Sequence, residues 1–213
     1  MGLGSDQDAR GVLTLTFDDP RTRNALSLDV LSNLLDRLYL VGGDCRVVVL
    51  TGAGTTFSSG ADRGEIADPA NIERAGKLVL DLLARLDSLE VPVVARVNGA
   101  AFGSGLALVA AADIAVAADG ARFGFPEVRF GMVAEPAIAA CRRRVPEGAL
   151  LDLFLSGRQF DAAEAASFGL VAHTAPPELL DGAVESVVAD LLIGDRAAIA
   201  ATRRLIRGGL IRS

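Results

Sequence analysis

The stretch Pro92-Val93-Val94-Ala95-Arg96-Val97-Asn98-Gly99-Ala100-Ala101-Phe102-Gly103-Ser104-Gly105 decides the fold class. Val93 to Val97 is a short β-branched run, which reads as a buried strand. Asn98-Gly99 is a turn. Gly103-Ser104-Gly105 then opens an apolar helix, Leu106 to Ala112, and Ile114 to Ala117 reads as a strand again. Strand, helix and strand in alternation make an α/β protein. The same alternation extends outward. Leu13, Leu15 and Phe17 alternate with Thr14 and Thr16, the period of a strand with one buried face. Asp18-Asp19-Pro20 stops it. Ser27 caps a helix that carries Leu28, Leu31, Leu35 and Leu38 on one face, closed by Gly42-Gly43. Arg46 to Thr51 reads as a buried strand, Gly52 to Gly64 as a loop, and Ile72 to Leu89 as a long amphipathic helix ended by Pro92. The final third is mostly helical. Asp161 and Glu164 form a capping pattern, Gly169 ends that helix, and two more run from about Glu178 to Ile193 and Arg196 to Arg207.

Composition narrows the function classes. The 213 residues suit one domain or one domain with a small lobe, and 51% apolar with 23% charged residues describes a folded chain. The formal charge of −6 and the lack of a basic stripe argue against nucleic acid as a partner. Cys45 and Cys141 cannot build a disulfide framework or a zinc site, so no metal centre is expected. The apolar run Leu106 to Ala112 ends at Asp113, far short of the roughly 20 residues of a membrane span. Met1 to Asp8 is small and polar, without an apolar signal-peptide core. A cytoplasmic protein is expected.

Two small-residue turns follow strands: Ser58-Ser59-Gly60-Ala61-Asp62 and Asn98 to Gly105. Small side chains let a ligand approach the backbone and its N–H groups. The second turn also feeds a helix N-terminus, which favours negative charge. Gly103-x-Gly105 lacks the third glycine of a dinucleotide fingerprint and the Gly-Lys-Ser/Thr of a P-loop. Downstream, Glu127 follows Pro126 among apolar residues. A carboxyl group there is partly desolvated, which raises its pKa and suits it to proton transfer. Glu135 precedes Pro136, as an acid does in the first turn of a helix.

Taken together the chain resembles the enoyl-CoA hydratase/isomerase family, the crotonase superfamily. The resemblance is carried by Asn24-Ala25-Leu26-Ser27, Val47 to Gly54, Phe57 to Asp62, Pro92 to Gly99, Gly103-Ser104-Gly105, Asp113-Ile114, Ala121 to Glu127, Ser156-Gly157-Arg158 and Ala162 to Val171. It implies a spiral core of ββα turns over residues 1–150. A helical part of the same domain, 151–213, packs the chain into homotrimers or hexamers. It implies an acyl-CoA or acyl-carrier thioester as substrate, with coenzyme A entering only as part of that substrate and no other cofactor. It implies an oxyanion hole made by the N–H groups of Ala61 and Ser104. It also implies substrate-binding stretches at Asn24, Ala25, Leu26, Ser59, Gly60, Asp62, Gly103, Phe123 and Pro126. Arg21, Arg23 and Arg63 are the candidates to meet the CoA phosphates.

The chain departs from the family pattern in three places. Hydratases of the family use two glutamates. The first position is Ala107 here and the second is Glu127. An alanine cannot transfer a proton, so the pattern fits the isomerases, which keep only the second glutamate to carry a proton from C2 to C4. Glu135 falls where the 3-hydroxyacyl thioester hydrolases carry an acid, so Glu127 with Glu135 forms an alternative acid pair. A weak hydratase and a non-catalytic thioester-binding protein are the remaining alternatives. Family members usually continue past the segment matched by Arg203 to Ile206, so a shortened helical part and a more open site are expected. His173 is expected to be a partly buried strand-end residue without a catalytic role, and Cys141 a packed helix residue.

Overall fold

In a computed structural model the chain is described over residues 2–208. Residues 209–213, part of the expected helical region, lie outside the described residues. Ten strands and eight helices are described: β1 Leu3–Gln7, β2 Val12–Phe17, α1 Leu28–Tyr39, β3 Val47–Gly52, β4 Thr56–Ser58, α2 Pro69–Ser88, β5 Val93–Val97, β6 Ala100–Phe102, α3 Gly103–Ala111, β7 Ile114–Ala118, β8 Arg122–Gly124, α4 Glu135–Cys141, α5 Glu147–Ser156, β9 Gln159–Asp161, α6 Ala162–Ser167, β10 His173–Ala175, α7 Leu180–Ile193 and α8 Arg196–Gly208.

The strands form two sheets. The larger has the order β1-β2-β3-β5-β7-β10 and the smaller β4-β6-β8-β9. Each successive turn of chain gives one strand to each sheet and then a helix: β3, β4 and α2, then β5, β6 and α3, then β7, β8 and α4. This is the expected ββα spiral. Pairing is parallel from β2 to β10 in the large sheet, with β1 added antiparallel at its edge.

The large sheet is covered on both faces, which explains the uninterrupted apolar run of β3. On one face α7 lays Leu180, Val184 and Val188 against Val47, Val49, Val94 and Val116. On the other, Leu13, Leu15, Val48 and Leu50 meet the apolar stripes of α1 and α2. Ser27 does cap α1, its Oγ accepting from the Val30 amide at 3.2 Å. Asp161 caps α6 through the Glu164 amide. Every residue of α3 except Ser104 is buried, so no polar stripe marks it.

Four local expectations change. Gly4 and its neighbours form β1 rather than a polar tail, because the strand pairs through its backbone with β2. The Gly52 to Gly64 loop contains β4, and β6 precedes α3. α1 ends at Tyr39, three residues before the glycines. His173 is exposed, since β10 is an edge strand. Among the described residues no helix is long and apolar enough to cross a membrane.

α8 is fastened to the core by arginines. Arg203 is 7% exposed. Its Nε donates to Asp113 at 2.7 Å, and its other nitrogens donate to the carbonyls of Leu86, Asp87 and Leu89 at the end of α2. Arg207 donates to Asp113, Asp87 and the Ala111 carbonyl. Arg144 donates to the carbonyls of Ala112 and Asp113. These cations meet the unpaired carbonyls and negative dipole ends of α2 and α3. Removing one partner of a buried pair strands the other. Arg203→Ala is therefore expected to lower the unfolding free energy by about 3–5 kcal/mol, read from urea unfolding. Lys77→Ala, which breaks the exposed Lys77–Asp81 pair on α2, is expected to leave the midpoint unchanged.

Candidate active site

The smaller sheet brings the two small-residue turns together. β4 and β6 pair in parallel, with Ser58 opposite Ala101. Each turn leaves its strand at the same end, so Gly60 lies on the backbone of Phe102 and Gly103. A Cβ on Gly60 would come within 2.7 Å of the Phe102 carbonyl oxygen, and Gly60 has φ +88°. Only glycine meets both conditions. The next residues along each turn are Ala61 and Ser104, whose N–H groups donate to no acceptor of the protein among the described contacts. Ser104 is the second residue of α3, where amides lack helical partners.

Glu127 enters from a third direction. It sits in a single tight helical turn, Pro126–Phe130, closed by Gly131 in the left-handed conformation. Its Oε1 lies where a Cβ on Gly103 would stand, 2.6 Å away. Gly103 has φ +51°, which strains any other residue, and a Cβ there would displace the Glu127 carboxylate. Glu127 Oε2 is buried and has no hydrogen-bond partner. Burial holds the Glu127 carboxyl above its ordinary 4.5, against a smaller opposing pull from its own backbone N–H. Ala107 is fully buried one turn into α3. Ser104 Oγ is the other buried side-chain polar atom without a partner among the described residues.

The cleft beside these groups has a volume of about 530 Å³. Ala25, Ser59, Ala61, Asp62 and Pro126 line it, as do Arg23 and Arg63. Other expected binding residues lie beneath it instead. Asn24 is 2% exposed; its Nδ2 donates to the carbonyls of Ala53 and Thr56, and its Oδ1 accepts from the Asp19 amide. Its side chain is spent bracing the turn, at φ +58°. Leu26 and Phe123 are core residues, Phe123 packing on Phe160. Arg21 pairs with Asp19 and does not line the cleft. Sequence reasoning missed Arg129, which lines the cleft and donates to the Ser156 carbonyl. Its spacing of two from Glu127 on a tight turn was the available signal.

Glu135 is exposed at the start of α4. Cys141 is buried, and burial pushes its thiol up to about 12. A larger cavity, about 1000 Å³, lies between α2, α4 and α8. Among its lining acids, Asp87 and Asp113 are held by arginines, and Asp195 accepts from the Ala198 amide at the start of α8.

Comparison with known proteins bears on the family. A family model described as enoyl-CoA hydratase/isomerase matches residues 7–208. "Probable enoyl-CoA hydratase EchA12" of Mycobacterium tuberculosis is 34% identical over 212 residues, covering 93% of this chain and 74% of that protein. The mouse protein "Enoyl-CoA hydratase domain-containing protein 3, mitochondrial" is 30% identical over 203 residues, covering 93% and 68%. Among solved structures, an enoyl-CoA hydratase of Mycobacterium smegmatis superposes with a TM-score of 0.92 at 32% identity, covering 96% and 82%. A Thermobifida fusca YX chain solved in complex with CoA superposes at 0.89, with 29% identity and 96% and 84% coverage.

The raised Glu127 pKa has a consequence for stability. A carboxyl group with a folded pKa above its unfolded one favours folding fully below the unfolded value, and that contribution is lost as pH rises through the folded value. Glu127→Gln removes the titration. Thermal unfolding across pH should show the variant gaining on the wild type as pH rises from about 4.5, with the gain levelling off above the folded pKa. A difference independent of pH would contradict the burial of this carboxylate.

Proposed function

The chain belongs to the enoyl-CoA hydratase/isomerase family, and we propose that it shifts the double bond of an enoyl thioester from C3 to C2 with Glu127 as the single proton shuttle. The observation that carries this reading is the pairing of a buried, partnerless Glu127 Oε2 with a fully buried Ala107 at the position of a second acid. In this reading the thioester oxygen lies between the N–H groups of Ala61 and Ser104. As the proton leaves C2, charge moves onto that oxygen. Each amide aimed at it contributes about 3 kcal/mol to the transition state. Glu127 takes the C2 proton and returns it at C4, on the same face of the dienolate. Its raised pKa brings the acid and carboxylate forms closer in energy near neutral pH, as a shuttle requires.

The substrate is an acyl-CoA, and the CoA arm runs along the 530 Å³ cleft. Arg23, Arg63 and Arg129 supply the positive charge for its phosphates, and Ala25 and Ser59 its close backbone contacts. The chemistry draws on no cofactor beyond this CoA. Exposed Val128, Val133, Leu151 and Leu155 are apolar side chains that assembly into a homotrimer or hexamer would cover. The hydrolase reading, with Glu127 and Glu135 as the acid pair, has less support, because Glu135 is exposed at the start of α4 whereas Glu127 Oε2 is buried.

Glu127→Gln is expected to lower kcat for a 3-enoyl-CoA by 10²-fold or more, with KM changed little. Product analysis by mass and NMR checks this. Full retention of isomerisation by the variant would overturn the assignment. Arg129→Ala is expected instead to raise KM for the CoA ester several-fold while leaving kcat nearly intact.

A further inference from the structure

The larger cavity, about 1000 Å³, shares no lining residue with the cleft beside Glu127. It has the make-up of a small-molecule site, apolar walls with a few convergent polar groups. Leu80 and Leu83 of α2, Leu191 of α7, and Ile199 and Ile206 of α8 form apolar wall. Leu80 and Ile206 stand open to solvent. Four arginines line the cavity against three aspartates, an excess of positive charge in a chain whose formal charge is −6.

The arginines differ in how far they are used. Arg203 and Arg207 have every guanidinium nitrogen engaged. Arg144 is half-buried. Its Nη2 donates to the carbonyls of Ala112 and Asp113, while its Nε and Nη1 donate to no acceptor among the described residues. Arg143 likewise is engaged only through Nη1, by Asp87. Burial, and after it the like charge of Arg207, pulls the Arg144 guanidinium below its ordinary pKa, with Asp113 opposing. A partly desolvated cation with unused donors is a place for an anion.

We propose that this cavity binds a carboxylate-headed alkyl chain, with its head on Arg144 and Arg143 and its chain along Leu80, Leu83, Ile199 and Ile206. It is a second site, and it does not depend on the isomerase reading. The carboxylate accepts charge-assisted hydrogen bonds from the unused N–H groups. The chain covers apolar wall that otherwise faces water. A monovalent head matches the small excess of positive charge better than a phosphate dianion does.

Equilibrium dialysis of the full chain against decanoate, decanol and acetate tests this. Saturable binding of decanoate is expected, with decanol weaker by roughly tenfold or more and acetate unbound. Arg144→Gln is expected to weaken decanoate by a similar factor and to leave decanol unchanged. Ala84 is exposed on α2 and lines the cavity. Ala84→Trp therefore fills the cavity without entering the core, and is expected to abolish binding while keeping the wild-type circular dichroism. That variant carries the test if Arg144→Gln fails to fold. No saturable decanoate binding, decanol binding as tightly as decanoate, or undiminished binding by folded Ala84→Trp would each overturn the proposal.

Discussion

The site depends on how closely two backbones approach. Gly60 rests on the Phe102 carbonyl, and Gly103 rests under the Glu127 carboxylate. Both glycines have positive φ. A side chain at Gly60 would press on the β6 backbone, and one at Gly103 would displace the Glu127 carboxylate. Everything proposed for the chemistry, from the paired amides to the orphaned carboxylate, follows from these contacts.

The three-residue strands β4 and β6 cannot hold their own register, so the large sheet does it for them. β3 and β5 pair over four positions, buried on both faces. They deliver β4 and β6 to a fixed meeting point. The arginines of α8 and Arg144 brace the far ends of α2 and α3. The near end of α3 is left with open amides, where substrate charge develops in the proposed reaction. Desolvation of Glu127 works against folding at neutral pH, and the apolar core offsets it. Rigid strands below and an unsatisfied acid above are the arrangement expected of a preorganised site.

Much of this was legible in the sequence. The β-branched runs at Val47 and Val93 gave the central strands, and the leucine spacing of residues 28–38 gave α1. Gly60 and Gly103 were visible as turn residues, and the apolar setting of Glu127 announced its raised pKa. The strands β1, β4, β6 and β8 were not, because three to five residues carry too little periodicity and their pairing is decided by the large sheet. Asn24 stands in a stretch that the family resemblance sets along the substrate, and the bonding of its amide to two carbonyls some thirty positions away was not legible either. Phe123, expected among the substrate-binding residues from the family resemblance, is buried on Phe160 of β9, a pairing that no local pattern announces. The partnerless state of Ser104 Oγ is a purely three-dimensional fact.

The central claim is that one carboxylate serves one face of the bound thioester. It is tested most directly by incubating a 3-enoyl-CoA in deuterium oxide and assigning, by NMR, the face at which deuterium enters C4 of the product and C2 of the recovered substrate. The account predicts incorporation at both carbons on a single face. Deuterium entering on opposite faces would require a second acid that Ala107 does not provide, and would contradict it.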